Sequence, residues 1–367
     1  MRATRVVEAL PANTPFIGPE RLMRENGLRE LVRLGANESA FGPSPRAVAA
    51  MAEQLDRLSW YGDPDSYALR EALAARHGCA LEQTTVACGI DDLMGLAVRA
   101  FVEIGGVAVA ARGTYPTFAY HIAGYGARLE TTPYTKEGGP DLSGLAALAQ
   151  RVRPSIVYLA NPDNPSGAFL ERRLIAEFYE ALPDETLLLL DEAYADFVPP
   201  DRLLEPRFED RLVRLRTFSK AYGLAGARIG YALTTRANAE RFERIRLQYG
   251  VNRNAQIGAL AALEDEAHLA WVVRETAAAR RAYEALAHEL GTTTIPSLAN
   301  FVCIDMGDAQ RAMHVTAELL RRGVWIRKPG ASPLDRYVRV SAGTPPMRHA
   351  FAQALRGVLA ERGMAAP

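Results

Sequence analysis

Short apolar runs alternate with amphipathic segments through the middle of the chain. The apolar runs are VAVAA from Val107, IVYLA from Ile156, TLLLL from Thr186 and LVRL from Leu212. Runs of this length, bounded by polar turns, are typical of buried parallel strands. Apolar residues at three-to-four spacing predict helices in DDLMGLAVRAF from Asp91, LERRLIAEFYEAL from Leu170 and ANAERFERIRL from Ala237. This alternation predicts an α/β fold with a doubly wound, mostly parallel sheet.

The pattern changes towards the C-terminus. An alanine- and arginine-rich helical segment over 268–289 precedes TTTIPSLANFVCIDM, HVTAELLRRG, VWIRK and YVRVSAG, in which strands are fewer and more widely separated. This pattern of separated strands and helices predicts a second, smaller α+β domain. We therefore expect a large domain over 37–270 and a small domain formed by 271–367 together with an N-terminal arm over 1–36.

The composition narrows the possible partners. Lys+Arg and Asp+Glu both number 43, so the chain has no excess positive charge with which to attract nucleic acid. No stretch approaches the roughly 18 to 20 consecutive apolar residues that span a bilayer, and the first residues lack the apolar core of a secretory signal. Cys79, Cys88 and Cys303 have neither disulfide-framework nor zinc-site spacing. These features predict a cytoplasmic protein with small-molecule substrates and no metal.

Polar groups follow each predicted strand of the large domain. They are RGTYP from Arg112, NPDNPSG from Asn161, DEAY from Asp191 and TFSK from Thr217. Because ligands bind beside the carboxyl ends of strands in open parallel sheets, these groups are expected to converge on one site.

Lysine is scarce in this chain, with only Lys136, Lys220 and Lys328 among 43 basic residues. Arginine supplies surface charge equally well, but it cannot form an imine with an aldehyde. Lys220 follows a predicted strand, whereas the other two lie in the turn-like contexts YTKEGG and RKPG. Lys220 is therefore the candidate for covalent chemistry.

An aldehyde cofactor on a lysine also needs a phosphate anchor, a counter-charge for its ring nitrogen and packing for its ring. Asp191, at the end of a buried strand, is the candidate counter-charge, and Tyr115 is the candidate ring partner. Asn164 and Tyr194 are placed to hydrogen-bond a ring hydroxyl. Candidate phosphate ligands are the side chains of Thr217, Ser219 and Arg228, and the backbone N–H groups of Gly89, Ile90 and Asp91 where a helix begins.

Motifs over nearly the whole chain resemble those of the fold-type I aminotransferases of class I and II, and more narrowly the histidinol-phosphate aminotransferases. In order they are LGANESAFGPSP, YGDPDSYALREALA, CGIDDLMGLAVRAF, TYPTF, NPDNPSG, DEAYADF, TFSKAYGLAGARIGYAL and YVRVSAGT. The long string around Lys220 is the most specific of them. The resemblance implies a homodimeric enzyme that uses pyridoxal phosphate to transfer an amino group, with histidinol phosphate and 2-oxoglutarate as its first-choice substrates.

Residue roles carry over from the resemblance by position. It implies that Lys220 binds the cofactor as a Schiff base, that Asp191 pairs with the pyridine nitrogen, and that Arg339 binds the substrate carboxylate. It also assigns Asn37 to substrate binding and Tyr61 to the cofactor phosphate of the neighbouring subunit. The remaining cofactor contacts implied by the resemblance are the candidates given above: Gly89, Ile90, Asp91, Tyr115, Asn164, Tyr194, Thr217, Ser219 and Arg228.

The sequence departs from the family pattern at three places. Phe16 stands where many histidinol-phosphate enzymes have a tyrosine that touches substrate. Arg253, in VNRN, is an additional arginine, and the helix start reads Gly-Ile-Asp-Asp instead of the more frequent Gly-Ser-Asp-Glu. Arg253 and Arg327 are candidate partners for a substrate phosphate or distal carboxylate.

Other functions are compatible with parts of the pattern. An aminotransferase for aromatic or other amino acids fits the same motifs, and Phe16 favours it. A decarboxylase of the threonine-phosphate type resembles this family closely. A non-catalytic regulator would carry a separate DNA-binding module, for which the chain leaves little room, and a dehydrogenase would require a GxGxxG after an early strand, which is absent.

Overall fold

The computed structural model describes residues 1–11 and 16–361. The strands in these ranges are β1 Val32–Arg33, β2 Thr84–Ala87, β3 Val107–Ala111, β4 Arg128–Thr132, β5 Ile156–Ala160, β6 Leu187–Asp191, β7 Leu212–Thr217, β8 Gly230–Leu233, β9 Thr294–Ile295, β10 Phe301–Asp305, β11 Val324–Trp325 and β12 Tyr337–Ser341.

The α-helices in the same ranges are α1 Arg5–Glu8, α2 Pro19–Asn26, α3 Pro45–Ala52, α4 Tyr67–His77, α5 Ile90–Phe101, α6 Pro116–Gly124, α7 Leu142–Val152, α8 Arg172–Ala181, α9 Arg236–Glu243, α10 Arg253–Glu264, α11 Glu266–Glu289, α12 Ala309–Arg321 and α13 Pro345–Ala360. Each strand and helix predicted from the apolar runs is present, within a few residues of its predicted bounds.

The main sheet has seven strands within the described residues, in the order β2-β8-β7-β6-β5-β3-β4. β3, β4, β5, β6 and β7 pair in parallel, whereas β8 is antiparallel to both of its neighbours. Six strands therefore run in one direction and β8 runs against them. The predicted fold class, a mostly parallel doubly wound sheet with a smaller α+β part, is confirmed.

Apolar side chains cover both faces of this sheet. One cluster joins α5 and α6 to alternate residues of β3, β5 and β6, such as Tyr158 and Leu189. A second cluster joins α7 and α8 to the intervening residues of the same strands, such as Val157 and Leu188. Burial on both faces explains why these strands are continuously apolar in sequence.

The three-stranded sheet β12-β10-β9 is antiparallel, and β1 pairs in parallel with β11 beside it. Its core includes residues of α11, α12 and α13 together with Leu34 from the N-terminal part of the chain. The predicted boundary near residue 270 falls inside α11, and the division into 37–270 and its flanking parts stays a prediction.

No helix in the described part of the chain is long and apolar enough to cross a membrane. The three cysteines are free thiols, with Cys303 buried and Cys79 and Cys88 partly exposed.

Candidate active site

The candidate residues lie along one edge of the main sheet. Because β2, β3, β5, β6 and β7 share one direction, the segments that follow them leave the sheet at the same edge. β8 runs in the opposite direction, so Arg228, just before it, lies at this edge as well. This topology brings the groups that follow the strands to one edge of the sheet, as the sequence predicts.

Lys220 is partly buried and follows β7. Its Nζ lies 5.8 Å from the centroid of the Tyr194 ring. Burial, and then the positive charge of Arg339, lower the pKa of Lys220 to about 8. Near neutral pH a larger fraction of this amine than of an ordinary lysine is therefore unprotonated and nucleophilic, as imine formation requires.

Asp191 is the last residue of β6, and it is 5% exposed. The Tyr158 hydroxyl donates to its Oδ2 at 2.7 Å, and the Ala193 backbone N–H donates to its Oδ1 at 2.9 Å. Burial raises the pKa of Asp191 to about 6, against these two hydrogen bonds. Tyr158 had not been identified from the sequence, where it reads as one more apolar residue of a strand. It is stacked on Phe118 at 4.8 Å between ring centroids.

An anion-binding cup lies where β2 and β7 end. Gly230 of β8 pairs with both Ala87 and Thr217, which brings the start of α5 close to the hydroxyls that follow β7. A Cβ at Gly230 would lie 3.1 Å from the backbone of Gly89, so only glycine permits this approach. The first N–H groups of α5, at Ile90 and beyond, have no partner within the helix. They are available to an anion beside the positive end of the helix dipole.

Thr217, Ser219 and Arg228 line this cup. The Thr217 hydroxyl lies 3.0 Å from that of Ser219, and both residues are buried. Arg228 has a left-handed backbone with φ of 59°. Its Nη2 lies 3.7 Å from Asp91 Oδ2, and a Cβ at Gly89 would come within 2.9 Å of the same nitrogen. Glycine at position 89 thus lets the guanidinium reach the helix start.

Tyr115 is fixed by the same helix start. Its hydroxyl donates to Asp91 Oδ1 at 3.0 Å. Its ring also contacts Phe16, with ring centroids 6.1 Å apart. The hydrogen bond and the ring contact fix the position of the Tyr115 ring, as a stacking partner requires.

Arg339, on β12, reaches the site from the smaller sheet. Its Nη1 donates to Asn164 Oδ1 at 2.6 Å, and its Nη2 donates to the Gly35 carbonyl at 3.2 Å. Its Nε is buried without a hydrogen-bond partner among the described residues. A buried guanidinium N–H without a partner is costly, so this atom indicates a place for an anionic ligand.

Arg327 lies beside Arg339, because the two backbones exchange hydrogen bonds at 3.1 and 2.7 Å. Its Nη2 donates to the Ile17 carbonyl, and its guanidinium lies 5.9 Å from the Phe16 ring centroid. Neither arginine forms a salt bridge within the described ranges. Burial, and then the positive charge of Arg339, lower the pKa of Arg327.

Asn37 is 2% exposed, with a left-handed backbone at φ of 54°. Its Nδ2 donates to the Tyr194 hydroxyl at 3.0 Å, and its Oδ1 accepts from Ser341 at 3.0 Å. Asn37 therefore links the Tyr194 hydroxyl to Ser341 and fixes its position. Because the Tyr194 oxygen accepts from Asn37, its own proton is left to donate towards the site, and burial raises the pKa of Tyr194 to about 12.

Two predicted site residues, Tyr61 and Arg253, have their contacts with exposed residues. Tyr61 is 75% exposed and packs against Tyr249, with ring centroids 4.5 Å apart. The Arg253 guanidinium donates to the Tyr61 carbonyl at 2.7 Å and lies 5.9 Å from the Trp60 ring centroid. Both residues thus belong to one exposed aromatic surface, formed by Trp60, Tyr61 and Tyr249.

These residues fit a phosphate-bearing aldehyde cofactor. The two glycines leave an open cup above the helix start, where a Cβ at either position would crowd its walls. Asp191 is a buried carboxylate with no salt bridge among the residues described, which suits a cationic ring nitrogen. Lys220 lies near both features, because the charges of Asp91, at the helix start, and of Asp191 both act to raise its pKa. The arrangement can hold a phosphate, a ring and an aldehyde carbon at once.

Comparisons with known proteins agree with this geometry. A histidinol-phosphate aminotransferase from Pseudomonas fluorescens is 36% identical over 361 residues, which cover 96% of each chain. One from Moorella thermoacetica is 34% identical and covers 96% of this chain and 92% of its own. The crystal structure of the Sinorhizobium meliloti histidinol-phosphate aminotransferase in complex with pyridoxal-5'-phosphate is 40% identical. It covers 98% of both chains with a TM-score of 0.94.

The family description aminotransferase class I and II matches residues 29–355, which include every site residue named above except Phe16 and Ile17. The chain therefore belongs to the class I and II aminotransferases.

Proposed function

We propose that this aminotransferase holds pyridoxal phosphate on Lys220 and transfers an amino group from histidinol phosphate to 2-oxoglutarate, a step of histidine biosynthesis. The observation that carries the substrate assignment is the arginine pair 327 and 339. The two guanidinium groups repel each other and lack a carboxylate partner among the described residues. A dianionic phosphate or a carboxylate between them would relieve that repulsion with charge-assisted hydrogen bonds.

The substrates share the feature that this pair would recognise. Histidinol phosphate carries its phosphate one carbon away from the amine-bearing carbon, and 2-oxoglutarate carries a carboxylate beside its oxo carbon. Both anions therefore lie next to the reacting carbon. The identities of relatives over the full chain length support the same assignment, because their names specify histidinol phosphate.

The bound cofactor supplies an aldehyde that accepts the amino group and a ring that withdraws electrons from the substrate carbon. Asp191 holds a proton on the ring nitrogen, since a buried carboxylate favours a cation beside it. Lys220 would be the base that moves the proton at the reacting carbon, because burial lowers its pKa to about 8. Tyr194 and Asn164 would donate to the ring oxygen, while Arg228, Ser219, Thr217 and the start of α5 would hold the phosphate.

We also propose a cytoplasmic homodimer in which Tyr61 of each subunit contacts the cofactor phosphate of the other. The aromatic surface supports this arrangement, because Trp60 is 63%, Tyr61 75% and Tyr249 54% exposed. A contiguous exposed apolar patch of this kind is typical of a protein interface. Arg253 fixes the backbone of this surface through the Tyr61 carbonyl.

Transamination of aromatic amino acids is a second candidate. Phe16 and Tyr115 form an aromatic wall beside the arginine pair, and Phe16 is 44% exposed. Such a wall accommodates an imidazole or a phenyl ring equally well.

The test is a panel of amine donors: histidinol phosphate, histidinol, phenylalanine and tyrosine. The half-reaction is followed by the change in the visible absorbance of the bound cofactor, and products are identified by mass spectrometry. We expect histidinol phosphate to react most efficiently and histidinol, which lacks only the phosphate, to lose at least about 100-fold in kcat/KM. Reaction with phenylalanine or tyrosine but not histidinol phosphate would select the second candidate. Release of carbon dioxide from a carboxylated donor would indicate a decarboxylase.

A further inference from the structure

Asp163 is a buried carboxylate that the reaction described above does not use. It is 1% exposed and lies in the segment 161–167, which follows β5. Tyr134 donates its hydroxyl to Oδ1 at 3.0 Å. Ser166 donates to Oδ2 twice, from its backbone N–H at 3.0 Å and from its hydroxyl at 2.6 Å.

No cation neutralises this carboxylate within the described part of the chain, since it forms no salt bridge there. Three donors instead point at its two oxygens, and burial raises the pKa of Asp163 to about 6. Burying a carboxylate costs several kcal/mol, so its retention requires a compensating structural or functional gain.

The carboxylate closes a tight turn. The Asp163 N–H donates to the Ala168 carbonyl at 2.8 Å, and the Gly167 N–H donates back to the Asp163 carbonyl at 2.9 Å. The Ser166 hydroxyl, bound to Asp163, also accepts from the Ala168 N–H at 3.1 Å. Asp163 and Ser166 thus fix the two ends of the turn to each other.

Asn164 is the next residue in this turn, and its side chain faces the site. Its Oδ1 accepts from Arg339 at 2.6 Å, which is the shortest contact of that guanidinium. With Nη1 held by Asn164 and Nη2 by Gly35, the unpartnered Nε–H of Arg339 has a fixed direction. A change in the turn would therefore alter how Arg339 meets an anion.

The second partner of Asp163 anchors the turn to both sheets. Tyr134 packs with Ala111 of β3 and with Ile295 and Cys303 of the smaller sheet. The Cys303 thiol donates to the Pro165 carbonyl at 3.1 Å, and the Leu298 N–H donates to the Gly167 carbonyl at 3.1 Å. The turn thus lies between the two sheets, and Asp163 connects it to their shared apolar cluster.

We propose that Asp163 is a positioning residue: through Ser166 and Tyr134 it fixes the turn that sets Asn164 against Arg339, and thereby sets the affinity for the substrate anion. The proposal rests on the role proposed above for Arg339 in substrate binding, and it does not depend on which amine donor is used.

The test compares the holoenzyme with Asp163→Asn and Tyr134→Phe. Asparagine keeps the shape of Asp163 but supplies one acceptor atom instead of two, so at least one of the three donors loses its partner. Phenylalanine at position 134 removes only the donor to Oδ1. Asp308→Asn is the matched control, because Asp308 is an exposed carboxylate that caps α12 through the Arg311 N–H at 2.8 Å.

Three quantities are measured: the KM for 2-oxoglutarate, the Kd for succinate from its effect on the cofactor absorbance, and the melting temperature. Succinate is a dicarboxylate without an amine or oxo group, so its binding reports on the anion site without turnover. Asp163→Asn should raise KM and Kd by about tenfold, with kcat changed less than about threefold, and Tyr134→Phe should show a smaller rise in the same direction. Asp308→Asn should leave both constants unchanged.

A succinate Kd within twofold of the wild-type value in both variants would overturn the proposal, even if their melting temperatures fall, because Asp163 would then only stabilise the fold. The proposal also fails if wild-type enzyme binds no succinate, since the role of Arg339 would then be wrong. Failure of histidinol phosphate as a donor would reject the proposed substrate and leave this comparison intact.

Discussion

Replacing Asp191 by asparagine should stabilise the cofactor-free protein while nearly abolishing turnover. The substitution keeps the shape of the side chain and removes its charge. In the cofactor-free protein that charge is buried, and within the described residues it is supported by two hydrogen bonds, from Tyr158 and Ala193, and by the charge of Lys220. Asparagine can accept from the Ala193 N–H and donate to the Tyr158 oxygen, so one of these bonds is kept and the other is reversed.

The stability change follows from the pKa. Burial raises the pKa of Asp191 from 3.8 to about 6, and each unit corresponds to about 1.4 kcal/mol. The folded protein therefore binds the proton more tightly than the unfolded chain, and ionised Asp191 costs about 3 kcal/mol of stability above pH 6. That cost declines as the pH falls through this range and is lost below 3.8. Reversal of the Tyr158 bond leaves the Tyr158 proton without its acceptor, which costs about 1 kcal/mol, so the variant should gain about 2 kcal/mol at pH 7.5. The corresponding rise in melting temperature is about 2 to 3 °C for a chain of this size.

The assay is a thermal melt of cofactor-free wild type and Asp191→Asn at pH 7.5 and pH 4, together with kcat of the reconstituted enzymes. The stability gain should shrink at pH 4, and kcat should fall by at least about 100-fold to 1000-fold, the usual effect of removing one preorganised electrostatic group. Asp196→Asn is the control for turnover, because Asp196 is also enclosed but has Arg216, 4.0 Å away, as its ionic partner, so kcat should be unchanged. The reasoning is refuted if Asp191→Asn melts at a lower temperature than wild type at pH 7.5, or if it turns over at a near-normal rate.

Three further predictions concern the covalent lysine, the dimer and the substrate anion. Borohydride should fix the cofactor to the peptide that contains Lys220, and peptide mapping that finds it on Lys136 or Lys328 would contradict the assignment. Mixed dimers of Lys220→Ala with Tyr61→Ala should regain some activity that neither parent has, provided that subunit exchange is demonstrated, because each mixed dimer contains one intact site. Arg327→Ala should raise the KM for histidinol phosphate much more than that for histidinol, which lacks the phosphate, and equal effects on the two donors would show that Arg327 does not contact the phosphate.

The sequence predicted the strands that are buried on both faces and the groups that follow them. Continuous apolar runs located β3, β5, β6 and β7 because such runs have few alternatives in a folded chain. The topology then brought Lys220, Asp191 and Asn164 to one edge, as expected for parallel strands. The strands β2, β4 and β8 were not predicted. Polar residues such as Glu130 interrupt the pattern in β2 and β4, and β8 has only four residues, the first of which is glycine.

Contacts between residues distant in sequence were not predictable in the same way. The hydrogen bond from Tyr158 to Asp191 joins positions 33 residues apart, and a tyrosine within an apolar strand gives no sign of it. The buried amide of Asn37 donates to the Tyr194 hydroxyl, a contact between residues 157 positions apart, and its role in substrate binding stays a prediction. Gly230 reads as an ordinary glycine until its approach to Gly89 is known. In each case the role is set by a neighbour that only the fold supplies.

The charged groups of the site share one physical property, which links stability to function. Burial raises the pKa of Asp191 and lowers the pKa of Lys220, Arg327 and Arg339. The charged form of each group is therefore destabilised in the cofactor-free protein. A cofactor with a cationic ring and a substrate with an anionic group relieve these costs without moving the groups far. Binding therefore stabilises the folded state by an amount that grows with the logarithm of ligand concentration over Kd. Burying these charged groups costs stability when the site is empty. The same groups are already oriented towards the charges that develop during the reaction, and such preorganised electrostatic groups contribute strongly to the rate.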